Sequence, residues 1–111
     1  MAEIPEEARN LVEEFQNNQQ QLQNVMMQKE SLRLQNAEIG KALEELDASK
    51  EKKAYKITGN IMISKPAEEL KTELAETKEA IEIKLKSFEK MEERLNTKLK
   101  ELQNKLKDVM K

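Results

Sequence analysis

The chain has 111 residues, of which 38% are charged, 37% apolar and 3% aromatic; its net charge is −2, and it has no Cys, His or Trp. Without Cys there is no disulfide framework, thiolate metal site or cysteine nucleophile; without His the usual proton shuttle and the commonest zinc ligand are missing. The slightly acidic balance disfavours non-specific nucleic-acid binding, no apolar run approaches the ~20 residues needed to span a bilayer, and Met1 to Glu7 lack a signal-peptide pattern.

The chain therefore reads as soluble, cytoplasmic and non-enzymatic, with no metal or cofactor site. Carboxylates such as Glu92 and Glu93 fall on helix faces, with no pocket in prospect that would shift their pKa values. Ala, Glu, Lys, Arg and Leu make up 62 of the 111 residues. With periodic apolar positions, a share above about half indicates a coiled coil or long helices.

One domain in three segments is expected: a helical segment over 1–53, a short non-helical insert over 54–65, and a second helical segment over 66–111. Pro5 and Pro66 both suit the first turn of a helix, where a missing N–H costs nothing. The first helix carries two seven-residue rails: Ile4, Leu11, Asn18, Val25, Leu32, Ile39 and Leu46, and beside them Ala8, Phe15, Leu22, Lys29, Asn36 and Leu43. Steps alternating between four and three residues mark a coiled-coil seam. Asn18, Lys29 and Asn36 interrupt it, and the amide tract Gln16 to Asn24 runs through it. Phe15, Leu22 and Val25 keep the helical phase through that tract, so it is expected to be a solvated helix face beside a weak seam, more ready to fray than the rest. Gly40 costs ~1 kcal/mol relative to Ala inside a helix, which a long helix tolerates. Met26 and Met27 are expected to pack in the core or at its rim.

The insert reads AYKITGNIMISK, with β-branched or aromatic residues at Tyr55, Ile57, Thr58, Ile61 and Ile63. Gly59-Asn60 suits a two-residue type II′ turn, with Gly in the first central position. That turn pairs Thr58 with Ile61, Ile57 with Met62, Lys56 with Ile63, and Tyr55 with Ser64. Both faces of the hairpin are then partly apolar and both edges free. Such a hairpin is marginal in water, and twelve residues exceed what a helix–helix linker needs. The pattern suits an assembly element whose hairpins pair edge to edge between chains.

The second helix has one regular rail, Leu74, Ile81, Phe88, Leu95, Leu102 and Val109, and a less regular companion, Leu70, Thr77, Leu85, Met91, Leu99 and Leu106. Folding the chain back at residue 60 pairs Leu46 with Leu74, Ile39 with Ile81, Leu32 with Phe88, Val25 with Leu95, Asn18 with Leu102 and Leu11 with Val109. Charge agrees: the first 14 residues hold five acids and one base, whereas residues 94–111 hold six bases and two acids. An antiparallel pair brings these ends together and suits both helix dipoles. At ~1.5 Å per residue the paired helices would reach roughly 65–75 Å. The bases Arg94, Lys98, Lys100, Lys105, Lys107 and Lys111 read as a solvated face, or as a docking surface for an acidic partner.

Helix, single hairpin, helix is also the plan of the β-class prefoldin subunits, and the chain resembles them in detail. AYKITGNIMISK (54–65) is similar to that family's hairpin, MEERLNTKLKELQ (91–103) to a stretch of its second helix, and the Gln/Leu-rich stretch around 16–29 to its first. The resemblance covers nearly the whole chain, and the single hairpin fits the β class because an α-class subunit carries two. It implies a mostly α fold: an antiparallel coiled coil whose one hairpin joins an intersubunit β-barrel. It also implies an ATP-independent co-chaperone, in which two α-class and four β-class subunits form a hexamer. Such an assembly holds non-native proteins at its coiled-coil tips and passes them to a group II chaperonin. The implied assembly residues are Tyr55, Ile57, Thr58, Gly59, Ile61, Met62 and Ile63. The implied client-binding residues are Met1, Ile4, Ala8, Leu11, Phe15, Leu102, Leu106, Val109 and Met110. Met is flexible and polarizable and suits a promiscuous surface. Read from the heptads alone, the chain could equally be a structural coiled-coil scaffold or tether; the hairpin speaks against that, since a rod needs only a tight turn.

Overall fold

The computed structural model describes residues 5–111. The order is α1 (Glu6–Ala48), β1 (Lys53–Thr58), β2 (Ile61–Pro66) and α2 (Ala67–Val109). Two units stand out along this order: one formed by the outer parts of the helices, up to Glu30 and from Lys86 to Lys111, and one spanning Ser31–Leu85. In the outer unit Lys98 pairs with Glu14 at 3.6 Å and Lys29 with Glu92 at 2.8 Å. In the hairpin unit Lys71 reaches Asp47 at 3.4 Å, and the Lys78 side chain lies against Gly40. Within each unit the two helices therefore run antiparallel. The expected register is met where Val25 and Leu95 line one groove and Leu46 and Leu74 another.

The buried apolar residues are Ala8, Val25 and Leu102 in the outer unit and Ala67, Leu70 and Ile81 in the hairpin unit. Every described member of the two α1 rails is at least partly buried, and the amide tract stays helical. The second rail of α2 differs from expectation. Thr77 and Met91 are exposed, and the partly buried positions are instead Lys71, Lys78, Leu85, Glu92, Leu99 and Leu106. This rail keeps the seven-residue spacing without a break. Charged residues fill three of its places, so the pattern is irregular when only apolar residues are counted. The Thr77 hydroxyl donates to the Glu73 carbonyl of its own helix at 3.0 Å. Met26 sits at the rim beside Leu22 and Leu99, but Met27 is 71% exposed and does not pack as expected.

The polar seam residues meet different fates, two of them satisfied and one not. The Lys29 ammonium donates to Glu92, with side-chain exposures of only 14% and 25%, so two charged heptad positions answer each other across the seam. The Asn18 amide turns back to the Glu14 carbonyl at 2.8 Å. The Asn36 side-chain oxygen is buried without a partner.

Both prolines fall one residue outside the helices. The Pro5 carbonyl accepts from Arg9 N–H at 3.1 Å, so Pro5 caps α1 from just before its first turn. Pro66 ends β2, paired with Lys53. Counting back from the two-residue turn, Lys53–Pro66 is a non-hydrogen-bonded pair, where the ladder asks for no N–H from Pro66. The next rung is made by Ala67 N–H to the Lys52 carbonyl at 2.8 Å. Helix α1 stops short of the expected residue 53. Beyond Ala48 the run Ser49 to Lys53 offers no apolar residue to the seam, and the Ser49 hydroxyl accepts from Glu51 N–H at 3.2 Å, drawing the backbone into a turn. Glu6 and Glu7 open α1, Glu68 and Glu69 open α2, and Lys107 lies in the last turn of α2, each favourable to its helix dipole.

The two glycines behave oppositely. Gly59 has φ +59°, while Asn60 stays at negative φ, the signs of a type II′ turn. A Cβ at Gly40 would meet Lys78 Cε at 3.6 Å, ordinary contact. Gly40→Ala is therefore expected to raise stability by up to ~1 kcal/mol, and Gly59→Ala to lower it by ~1–2 kcal/mol through backbone strain; thermal unfolding of both variants checks the pair of signs. Asn36→Leu removes a buried amide oxygen without a partner and is expected to stabilise by ~1 kcal/mol; an unchanged or lower midpoint in urea would show that the oxygen is satisfied in solution.

Candidate functional site

The hairpin register matches the expectation at every pair: Tyr55 with Ser64, Lys56 with Ile63, Ile57 with Met62 and Thr58 with Ile61. The two faces alternate along this ladder. One carries Tyr55, Ile57 and Met62; the other carries Ala54, Lys56, Thr58, Ile61, Ile63 and Lys65. Exposures are 64% at Tyr55, 71% at Ile57, 63% at both Ile61 and Met62, and 41% at Ile63. The sheet has two strands, β1 and β2, so each strand has one edge open. Beside β1 an open, largely apolar groove of about 380 Å³ is lined by Ala42, Leu46, Leu70 and Leu74 from the helices and by Tyr55 and Ile57 from the strand. A surface of this kind, apolar and edged with unpaired backbone, marks an interaction site.

Glu73 ties this element down. Lys65 of β2 donates to one carboxylate oxygen at 2.6 Å, and Lys56 of β1 lies 3.6 Å from the other. The hydrogen bond and charge of Lys65, with Lys56 adding to them, hold the Glu73 carboxyl below its usual range. Glu73 in turn, with a smaller contribution from Glu69, raises the Lys65 ammonium above the ordinary lysine value. A step further on, Glu68 and then Asp47 raise Lys71 in the same way. The heptads and the strand pattern do not announce this clasp. The signal that could have found it is the alternation that puts Lys56 and Lys65 on one face, with Glu73 two turns into the helix that follows.

The second candidate region is the paired outer ends of the helices. Ala8 and Leu102 are buried, Leu11, Phe15, Leu106 and Val109 are partly buried, and Met110 is 56% exposed. Met1 and Ile4 lie outside the described residues. Phe15 and Leu99 share a groove with Asn96, Thr97 and Gln103. Ala8 and Leu102 thus belong to the seam as it stands and become available to another molecule only when the helix ends part. Of the basic residues, Lys98 is engaged by Glu14. No group of three or more potential ligands that could hold a metal ion occurs among the described residues. Among the described residues no helix is long and apolar enough to cross a membrane.

A family model described as prefoldin subunit matches residues 9–111. The chain belongs to the prefoldin subunit family. It is 37% identical to the prefoldin subunit beta of Archaeoglobus fulgidus over 99% of this chain and 96% of that one. Identity to the Thermococcus onnurineus prefoldin subunit beta is 34%, over 100% and 97%. The crystal structure of the prefoldin beta subunit from Thermococcus strain KS-1 superposes with a TM-score of 0.86 at 32% identity, covering 98% of this chain and 96% of that chain. The mostly helical fold with a single hairpin, read from the sequence, is thus the fold of this prefoldin subunit and of its β-type relatives.

The clasp gives a pH expectation with a definite sign. Glu73 has a folded-state pKa below its reference of 4.5, so its contribution is complete above that value and is lost as pH falls through the lowered one. Lys65 lies above 10.5, so its contribution is complete below that value and is lost as pH rises through the raised one. The tie should hold unchanged across the whole interval between. Following the Glu73 carboxyl carbon by NMR should give a midpoint below 4.5; a midpoint at or above it would mean the clasp does not persist in water.

Proposed function

We propose that this chain is a subunit of an ATP-independent holdase, assembled with an α-class prefoldin subunit and further copies of itself through the hairpins. Prefoldin membership supports a co-chaperone role and assembly with other prefoldin subunits. The observation that carries the finer reading is the hairpin itself: five large apolar or aromatic side chains exposed on a two-stranded sheet with free edges. That arrangement is unfavourable in a lone chain and becomes favourable when neighbouring hairpins cover it and complete the ladder. Two α-class and four β-class chains is the stoichiometry proposed.

Client capture is assigned to the outer helix ends, through Leu11, Phe15, Leu106, Val109 and Met110, with Met1, Ile4, Ala8 and Leu102 joining as the ends open. Each large apolar side chain could contribute roughly 1.5–3 kcal/mol when a client buries it fully. These contacts do not demand a fixed client shape, and several subunits acting together raise avidity without a new contact type. A group II chaperonin is the proposed receiver, and the cytoplasm the proposed location. The assembled complex should suppress aggregation of a chemically unfolded client without nucleotide. Removing residues 1–11 and 106–111 should abolish that suppression while leaving the mass of the complex otherwise unchanged. Full suppression by the truncated complex would place capture elsewhere.

A further inference from the structure

The hairpin carries Lys53, Lys56 and Lys65 and no acidic residue. Two of these three lysines converge on one carboxylate from opposite strands, Lys65 at 2.6 Å and Lys56 at 3.6 Å from Glu73. Glu73 lies in the helix that follows β2 directly, whereas residues 49–52 intervene between α1 and β1. An isolated hairpin is marginal, and one free to swing on its connections would have to be ordered each time it met a partner. Ordering of that kind is charged against association. A single anion gripping both strands from the helix side removes that freedom before the partner arrives, and the apolar face of Tyr55, Ile57 and Met62 takes no part in the grip.

We infer that Glu73 is a positioning residue for assembly: by holding Lys56 and Lys65 together it fixes both strands against α2 in the orientation that a neighbouring hairpin pairs with. Glu73 need touch no other subunit to do this. The inference rests on the proposal that the hairpins are the assembly elements, and it adds a residue outside the hairpin that governs how readily they assemble.

The test compares the concentration at which half of the chain is in complex with an α-class prefoldin subunit, by light scattering, for the unaltered chain and three variants. Glu73→Gln removes the anion. Lys56→Gln with Lys65→Gln removes both cations. Lys56→Glu and Lys65→Glu with Glu73→Lys reverses every charge. The first two should raise the half-assembly concentration roughly three- to tenfold, since exposed ion pairs are individually weak, with helix content by circular dichroism unchanged. The reversed triple variant should return to within about twofold of the unaltered chain, a rescue that a purely structural role for Glu73 in α2 would not produce. Assembly of Glu73→Gln at the original concentration overturns the inference, and so does failure of the reversed variant to recover. Improved assembly of the double lysine variant would show that positive charge on the hairpin, and not the clasp, governs the encounter. If the unaltered chain itself forms no mixed complex, it is the assembly reading that fails, before Glu73 is at issue.

Discussion

Two helices that face only each other can bury no more than the stripe of side chains between them. A third layer would be needed to cover anything else, and a chain with 37% apolar residues does not supply one. The consequences run through the whole molecule. The buried core is six apolar residues among those described. A polar residue that enters the stripe costs stability unless it is answered within it or turned out of it. Lys29 is answered by Glu92, and Asn18 turns back onto its own helix. Asn36 is left with a bare oxygen, a cost in stability of the kind that fixes register in coiled coils.

The same constraint explains the hairpin. Among the described residues nothing covers it, so its apolar residues are exposed and its backbone edges open. Two devices keep it in order without covering it. One is the rung between Lys52 and Ala67, made possible because Pro66 falls at a pair that needs no N–H. The other is Glu73, which holds a lysine from each strand. A hairpin held in place but uncovered is what the proposed assembly requires: in that proposal the cost of ordering it is met within the subunit, and the gain from burying it is kept for the complex.

Much of this was legible in the sequence, because coiled coils and hairpins are written in short-range periodicity. The α1 rails, the pairing of all four strand positions from Tyr55 to Thr58 and the II′ turn at Gly59 follow from spacing and residue type; the β-class prefoldin resemblance rests instead on the likeness of the stretches 54–65 and 91–103 to that family. The second rail of α2 runs through Lys78 and Glu92 and not through Thr77 and Met91, a difference that hydrophobicity alone does not reveal because both seam residues are charged. A long charged side chain can bury its stem in a seam while its end finds a partner, as Lys78 does over Gly40 and Glu92 does with Lys29. The end of α1 was placed too late because Ser49 to Lys53 holds no helix breaker; what stops the helix is the lack of anything to pack against and a hydroxyl that competes for the backbone. The Glu73 clasp joins residues of three different elements and was invisible to any single periodicity.

The proposed role of the hairpin as an interface between subunits is tested most directly by amide hydrogen exchange. The chain alone and the chain mixed with an α-class prefoldin subunit would be compared over β1 and β2. Slow exchange is expected across both strands in the mixture, with the outward-facing amides of Tyr55, Ile57, Met62 and Ser64 gaining most, because only a neighbouring strand can bond them. Exchange at those four amides as fast in the mixture as in the chain alone would contradict that role.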